Sequence, residues 1–233
     1  MFTSVVKWWR SLVWLLYPHT CAACSRPLNR TERSICHGCQ HVLPQTNYHQ
    51  DNSNPVVQHF WGLVPVSNAV AYYHFVKGER VQHLLHALKY SNRPDVGIYV
   101  GECYGALLKD YEAFQTIDVI VPVPLHQDKL QWRGYNQSEA FAQGLATTMK
   151  IPVDAGLIIR NEATETQTRK HRFERYINVN QKFSILESAD LKGKHILLVD
   201  DVITTGATLI ACAEALVSKH ATVSIAAIAA AGH

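Results

Sequence analysis

His195-Ile196-Leu197-Leu198-Val199-Asp200-Asp201-Val202-Ile203-Thr204-Thr205-Gly206-Ala207-Thr208-Leu209 decides how this chain is read. Ile196 to Val199 are apolar without alternation, the pattern of a strand covered on both faces in the middle of a parallel sheet. An acidic pair follows, and then a small, hydroxyl-rich turn that opens a helix. Thr204, Thr205, Gly206, Ala207 and Thr208 present consecutive backbone N–H groups, and the helix behind them contributes roughly half a positive charge at its N-terminus. A phosphate dianion fits such a turn. Asp200 and Asp201 are acceptors, suited to the vicinal hydroxyls of a ribose or to a hydrated Mg²⁺. The bland alternative is a buried strand followed by an Asp-capped helix. Two adjacent acids and a Thr-Thr-Gly-x-Thr turn exceed what capping needs.

A second signal lies near the N-terminus. Cys21-x-x-Cys24 is followed after eleven residues by Cys36-x-x-Cys39, and two such pairs predict a closed tetrahedral Cys₄ zinc site of structural type. A redox pair or two disulfides are the alternatives, with His37 or His41 as substitute ligands. Cys103 and Cys212 stand alone in apolar surroundings and are expected in the core.

With 233 residues, 47% of them hydrophobic, the chain can bury a proper core. A net charge of +3 is too small to indicate nucleic-acid binding by itself. Residues 1–20 are expected to form an amphipathic helix, because Val5, Trp8, Trp9, Leu12 and Leu16 recur at helical spacing before Pro18. The stretch is too short to span a bilayer and runs directly into the cysteines, so no transmembrane segment or secretory signal is expected. The expected compartment is the cytoplasm, with peripheral attachment to the inner membrane face as the other reading of the Trp-rich helix. The divisions expected are the helix at 1–20, a Cys₄ finger at 21–41, a polar linker at 42–65 and an α/β domain at 66–233.

From Ala69 onward, strand-like and helix-like patterns alternate, which predicts βαβ units and a parallel sheet. Strands are expected at Val70–Phe75, Val119–Val123, Leu157–Arg160, His195–Val199 and Thr222–Ala229. Helices are expected around Val81–Leu88, Gly97–Leu108, Ser138–Met149 and Thr208–Ser218. His83 and His86 lie in the first helix and read as an ordinary surface pair. Loops at the carboxyl ends of the strands should converge on one crevice. Val121-Pro122-Val123-Pro124-Leu125-His126 and Arg133-Gly134-Tyr135-Asn136-Gln137-Ser138-Glu139 feed it, although Pro, Gly and Asn there also serve as plain turn residues.

The segment Val199–Thr208 resembles the loop by which type I phosphoribosyltransferases bind phosphoribosyl pyrophosphate (PRPP). Together with the cysteine pairs, Pro-Val-Pro-Leu and Arg-Gly-Tyr-Asn-Gln, it resembles the ComF family over nearly the whole chain. The resemblance implies a type I phosphoribosyltransferase-like domain behind a small Cys₄ zinc-finger module. It implies that Asp200 and Asp201 hold ribose and hydrated Mg²⁺, and that Thr204–Thr208 hold the 5′-phosphate. Arg133, Asn136 and Gln137 form its family motif near the pocket.

Thr164, Gln167, Arg175 and Asn178 match a loop that closes over pyrophosphate in related transferases. Arg169, Lys170, Arg172 and Arg175 suit an anionic ligand, either pyrophosphate or a nucleic-acid backbone. Lys89 stands where this family has a Lys and is assigned a phosphate contact, with a surface Lys at a helix end as the alternative. The resemblance further implies handling of incoming single-stranded DNA in natural competence, alongside other competence proteins. An active phosphoribosyltransferase of unknown acceptor is the competing implication.

Overall fold

The computed structural model describes residues 19–161 and 182–232. The expected N-terminal helix and the basic loop with Arg169, Lys170, Arg172 and Arg175 lie outside the described residues.

The chain from Asn68 onward builds a four-stranded, all-parallel sheet with strand order β1–β6–β5–β2, from β1 (Asn68–Phe75), β2 (Val119–Pro122), β5 (His195–Ile203) and β6 (Thr222–Ala231). Because the strands are parallel, their carboxyl ends share one edge. Period-two alternation sends successive residues to opposite faces. Val70, Tyr72, Leu197, Val199, Ala226 and Ile228 join one core, and Ala69, Ala71, Leu198, Ile225 and Ala227 join the other. Both faces are covered, which is why β5 and β6 read as apolar runs without alternation.

On the first face lie α3 (Arg80–Tyr90), α4 (Pro94–Leu108) and α7 (Gln137–Met149). The crossing of α4 and α7 is very close. A Cβ on Gly101 would stand 2.3 Å from the Phe141 carbonyl oxygen, and one on Gly144 would stand 2.1 Å from that of Ile98. On the second face lie α2 (Pro55–Gln58) and α8 (Ala207–Val217).

The cysteine segment, with α1 (His37–Val42), is fused to the first face: Cys21, Ile35 and Leu43 share a core with Leu84, Leu88 and Tyr104. Its polar seam is equally specific. Ser34 Oγ donates to Asp95 Oδ2 at 2.8 Å, Arg93 Nη1 donates to the Thr20 carbonyl at 3.2 Å, and Arg33 pairs with Glu102.

Two expectations are corrected here. Leu157–Arg160 is not a strand of the parallel sheet; β3 (Ile158–Arg160) pairs antiparallel with β4 (Phe183–Ile185) in a separate two-stranded sheet. Beside β2 the chain makes a single parallel bridge, Ile120 to Val153, with the Ile120 amide donating to the Pro152 carbonyl. Pro152 has no N–H with which to extend that ladder, and the chain turns away at Asp154, whose carboxylate accepts from Gly156 N. The loop after this strand therefore does not leave the main sheet's edge. The other correction concerns 42–65, expected as linker. Val56 and Phe60 are fully buried there, and Pro44 and Thr46 pair with β1 through His74 N and Tyr72 O. Asn54 caps α2 by accepting from Val56 N and Val57 N. Polar composition concealed a few apolar residues that suffice to seal the edge strand.

Candidate functional site

Strand β5 carries Asp200 and Asp201 to the carboxyl edge of the sheet and ends at Ile203. Thr204, Thr205, Ala207 and Thr208 are exposed, while Gly206 is buried. Gly206 sits at φ +66° as the N-cap of α8, and no side chain caps that helix. The left-handed backbone suits glycine. A Cβ there would also come within 3.1 Å of the His59 ring, whose Nε2 lies 3.0 Å from the Thr205 carbonyl oxygen. The turn is thus held from below by the segment 55–60, its residues other than Gly206 are exposed, and no side-chain oxygen caps the helix it opens. This is the arrangement that accepts an anion.

The acids are differently placed. Ser138 Oγ donates to Asp200 Oδ1 at 2.9 Å, and the Asp201 amide donates to the same oxygen at 2.8 Å. Burial, followed by the negative charge of Asp201, pushes the Asp200 carboxyl well above the usual carboxylate range. Asp201 Oδ1 is ion-paired with Lys89 Nζ at 3.0 Å. All these contacts fall on Oδ1, and among the described residues Oδ2 of either acid has none. Lys89 therefore meets the acid pair, where a phosphate contact was expected of it.

The Arg133–Gln137 motif acts as scaffold. Gly134, at φ +77°, ends α6 (Gln127–Arg133). Tyr135 donates its hydroxyl proton to the Leu88 carbonyl. Asn136 donates to the Val123 carbonyl at 3.0 Å and accepts from Ser138 N at 3.1 Å. Arg133 Nη1 donates to Oε1 of the buried Gln137 at 2.6 Å. The motif thereby ties the end of β2 and the end of α3 to the head of α7, and it aims Ser138 at Asp200 and Lys89 at Asp201. Sequence reading placed Ser138 in a segment feeding the crevice without giving it a role at the acids, and it missed His59. Their only signal was position, one at the first turn of a helix and one in a segment taken for linker.

The four cysteines form a cluster in which all Sγ atoms lie within 4.8 Å of one another. Cys24 Sγ and Cys36 Sγ are 3.8 Å apart, far beyond a disulfide bond of about 2.0 Å. A tetrahedral zinc with Zn–S of about 2.3 Å requires S···S edges of about 3.8 Å, so the donor set and its size fit that ion. Burial and the neighbouring sulfurs push the Cys39 thiol well up, a cost that a divalent cation would offset. Between the pairs, Glu32 accepts from Asn29 N at 2.8 Å, His37 N at 2.9 Å and Arg26 Nη2 at 2.8 Å. His37 thus faces Glu32, and neither His37 nor His41 belongs to the cluster. No described helix is long and apolar enough to cross a membrane.

The family model described as phosphoribosyl transferase domain matches residues 136–233, the part of the chain that carries the parallel sheet's β5 and β6, the acid pair and the open turn. The fold is type I phosphoribosyltransferase-like. Among solved structures, the glutamine PRPP amidotransferase of B. subtilis is similar at 25% identity and a TM-score of 0.44, over 62% of this chain and 30% of that one. Competence protein F of Haemophilus influenzae is 26% identical over 200 residues, 81% of this chain and 86% of the relative. Competence protein ComFC of Bacillus subtilis is 33% identical over 107 residues, 46% of this chain and 41% of the relative. DNA utilization protein YhgH of Escherichia coli K12 is 30% identical over 206 residues, 86% of this chain and 85% of the relative. With its cysteine cluster, its phosphoribosyl transferase domain and a relative 30% identical along 85% of that relative's length, the chain belongs to the ComF family.

Proposed function

We propose that the protein binds PRPP with Mg²⁺ at the Asp200–Thr208 edge and serves in handling incoming single-stranded DNA, with zinc in the cysteine cluster. The observation that carries the reading is the exposed, uncapped turn around Gly206 beside two carboxylates whose Oδ2 atoms meet none of the described residues. The 5′-phosphate accepts from the amides of 204–208 at the head of α8. The ribose hydroxyls donate to Asp200 and Asp201, and Ser138 holds the first of these in place. Lys89 neutralises Asp201 in the ligand-free protein and swings to the pyrophosphate when the ribose takes its place. Mg²⁺, when bound, offsets charge on the pyrophosphate. The DNA role rests on the names of the relatives, which speak of competence and DNA utilization. Single-stranded DNA should bind with a log–log salt slope of about −0.7 for each phosphate contacted. PRPP with Mg²⁺ should raise the unfolding temperature in proportion to the logarithm of its concentration. Absent or salt-independent DNA binding removes the DNA half of the reading. An unfolding temperature indifferent to PRPP removes the other half.

A further inference from the structure

Where the cysteine segment meets α3, the surface holds a cleft of about 480 Å³. Thr20, Ser25, His83, His86, Ser91 and Arg93 are among the residues lining it, and among the described residues no carboxylate lines it. His83, His86 and Tyr90 are spaced three and four apart and exposed, so they form one stripe along α3. At the end of the stripe the cleft acquires an aromatic rim. Tyr90 is 53% exposed and Trp132 is 68% exposed. Their ring centroids are 5.8 Å apart at 60°, an angle that leaves the ring faces unstacked on each other. The His86 ring lies 4.6 Å from that of Tyr90, which makes cleft and rim continuous.

The rim is also cationic. The Arg133 guanidinium lies 5.4 Å from the Tyr90 ring centroid, and its hydrogen-bond partner is the neutral amide of the buried Gln137. Its charge is therefore not cancelled by that partner. Arg93 at the other end is shared with Asp95 at 2.8 Å and contributes less. Lys89, one residue before Tyr90 on α3, is the group paired with Asp201.

Open aromatic faces next to a guanidinium, at the mouth of a groove with no carboxylate among its described lining residues, match an unstacked nucleobase followed by its phosphodiester. They match a folded duplex poorly, because its bases are already stacked. We infer that this cleft and rim form a track for single-stranded nucleic acid: one base stacks on Trp132 and Tyr90, and the adjoining phosphates run along Arg133, His86 and His83. The inference rests on the proposed DNA role and assigns it a surface other than the cysteine cluster itself.

The test is fluorescence anisotropy of the full, zinc-loaded chain with a labelled single strand of about 15 nucleotides. Trp132→Ala should weaken binding between about fivefold and a hundredfold, the loss expected for one stacked base, with unfolding temperature and zinc content unchanged because the side chain is exposed. Trp132→Phe should keep most of the affinity. An abasic strand of equal length should bind wild type and Trp132→Ala alike. Placing a glutamate on the stripe, His86→Glu, should weaken the normal and abasic strands equally. Binding by wild type that is indifferent to Trp132 overturns this track while leaving the DNA role standing. A wild type that binds no strand at all overturns both. A mononucleotide competing as well as the strand overturns the phosphate half of the track.

Discussion

Asp200 is where stability and function pull against each other. Its carboxyl is buried beside a second acid, so the folded protein holds a proton there at pH values where the unfolded chain has released it. The folded state binds more protons between the unfolded and the raised folded value. This acid's contribution is therefore favourable at low pH and is lost as pH rises through the folded value. Asp200→Asn keeps an oxygen for Ser138 Oγ and Asp201 N, and it removes the charge. Urea denaturation of the ligand-free protein should show the variant more stable than wild type at pH 8 by on the order of 2 kcal/mol, with the difference vanishing near pH 4. A variant less stable than wild type at pH 8 would contradict the burial assigned to this acid. At Gly206, the left-handed φ and the His59 ring both oppose a side chain. Gly206→Val should cost about 1–3 kcal/mol in the same assay and abolish PRPP binding.

The acid pair and its turn were legible as residues because their chemistry is local. Ser138 and Lys89 were not legible as partners of Asp200 and Asp201. Nothing in a chain separation of more than sixty residues announces a hydrogen bond.

At the scale of elements, apolar strand-like runs and helical spacing located four strands and their helices within a few residues. The failures have particular causes. The stretch Leu157–Arg160 has the apolar content of a sheet strand, but Pro152, five residues upstream, ends the ladder that would have received it. The stretch 42–65 is polar on average, and its structural role rests on a few buried residues such as Val56, Val57 and Phe60. The closeness of α4 to α7 was readable only as glycines spaced by four, Gly97, Gly101 and Gly105. A side chain at Gly144 must displace backbone rather than a flexible tip. Gly144→Val should therefore destabilise by about 3 kcal/mol or more, seen as a lower urea midpoint with an unchanged slope. A loss below about 0.5 kcal/mol would show that the helices can separate without cost.

Over the whole molecule, the cysteine segment and the α/β domain share one core, so removing a metal from the first is predicted to weaken the second. Chelation, or Cys36→Ser, should lower the single unfolding transition followed by near-ultraviolet circular dichroism, with no separate early step for the finger. Two separated transitions would mean that the finger folds alone.

The central claim is that the Gly206 turn and the Asp200–Asp201 pair together hold a phosphorylated ribose. Calorimetric titration of PRPP with Mg²⁺ tests it most directly, using wild type and Asp200→Ala/Asp201→Ala side by side. Saturable binding at one site per chain, lost in the double variant, is the predicted result. Equal binding by both proteins, or none by the wild type, would contradict it.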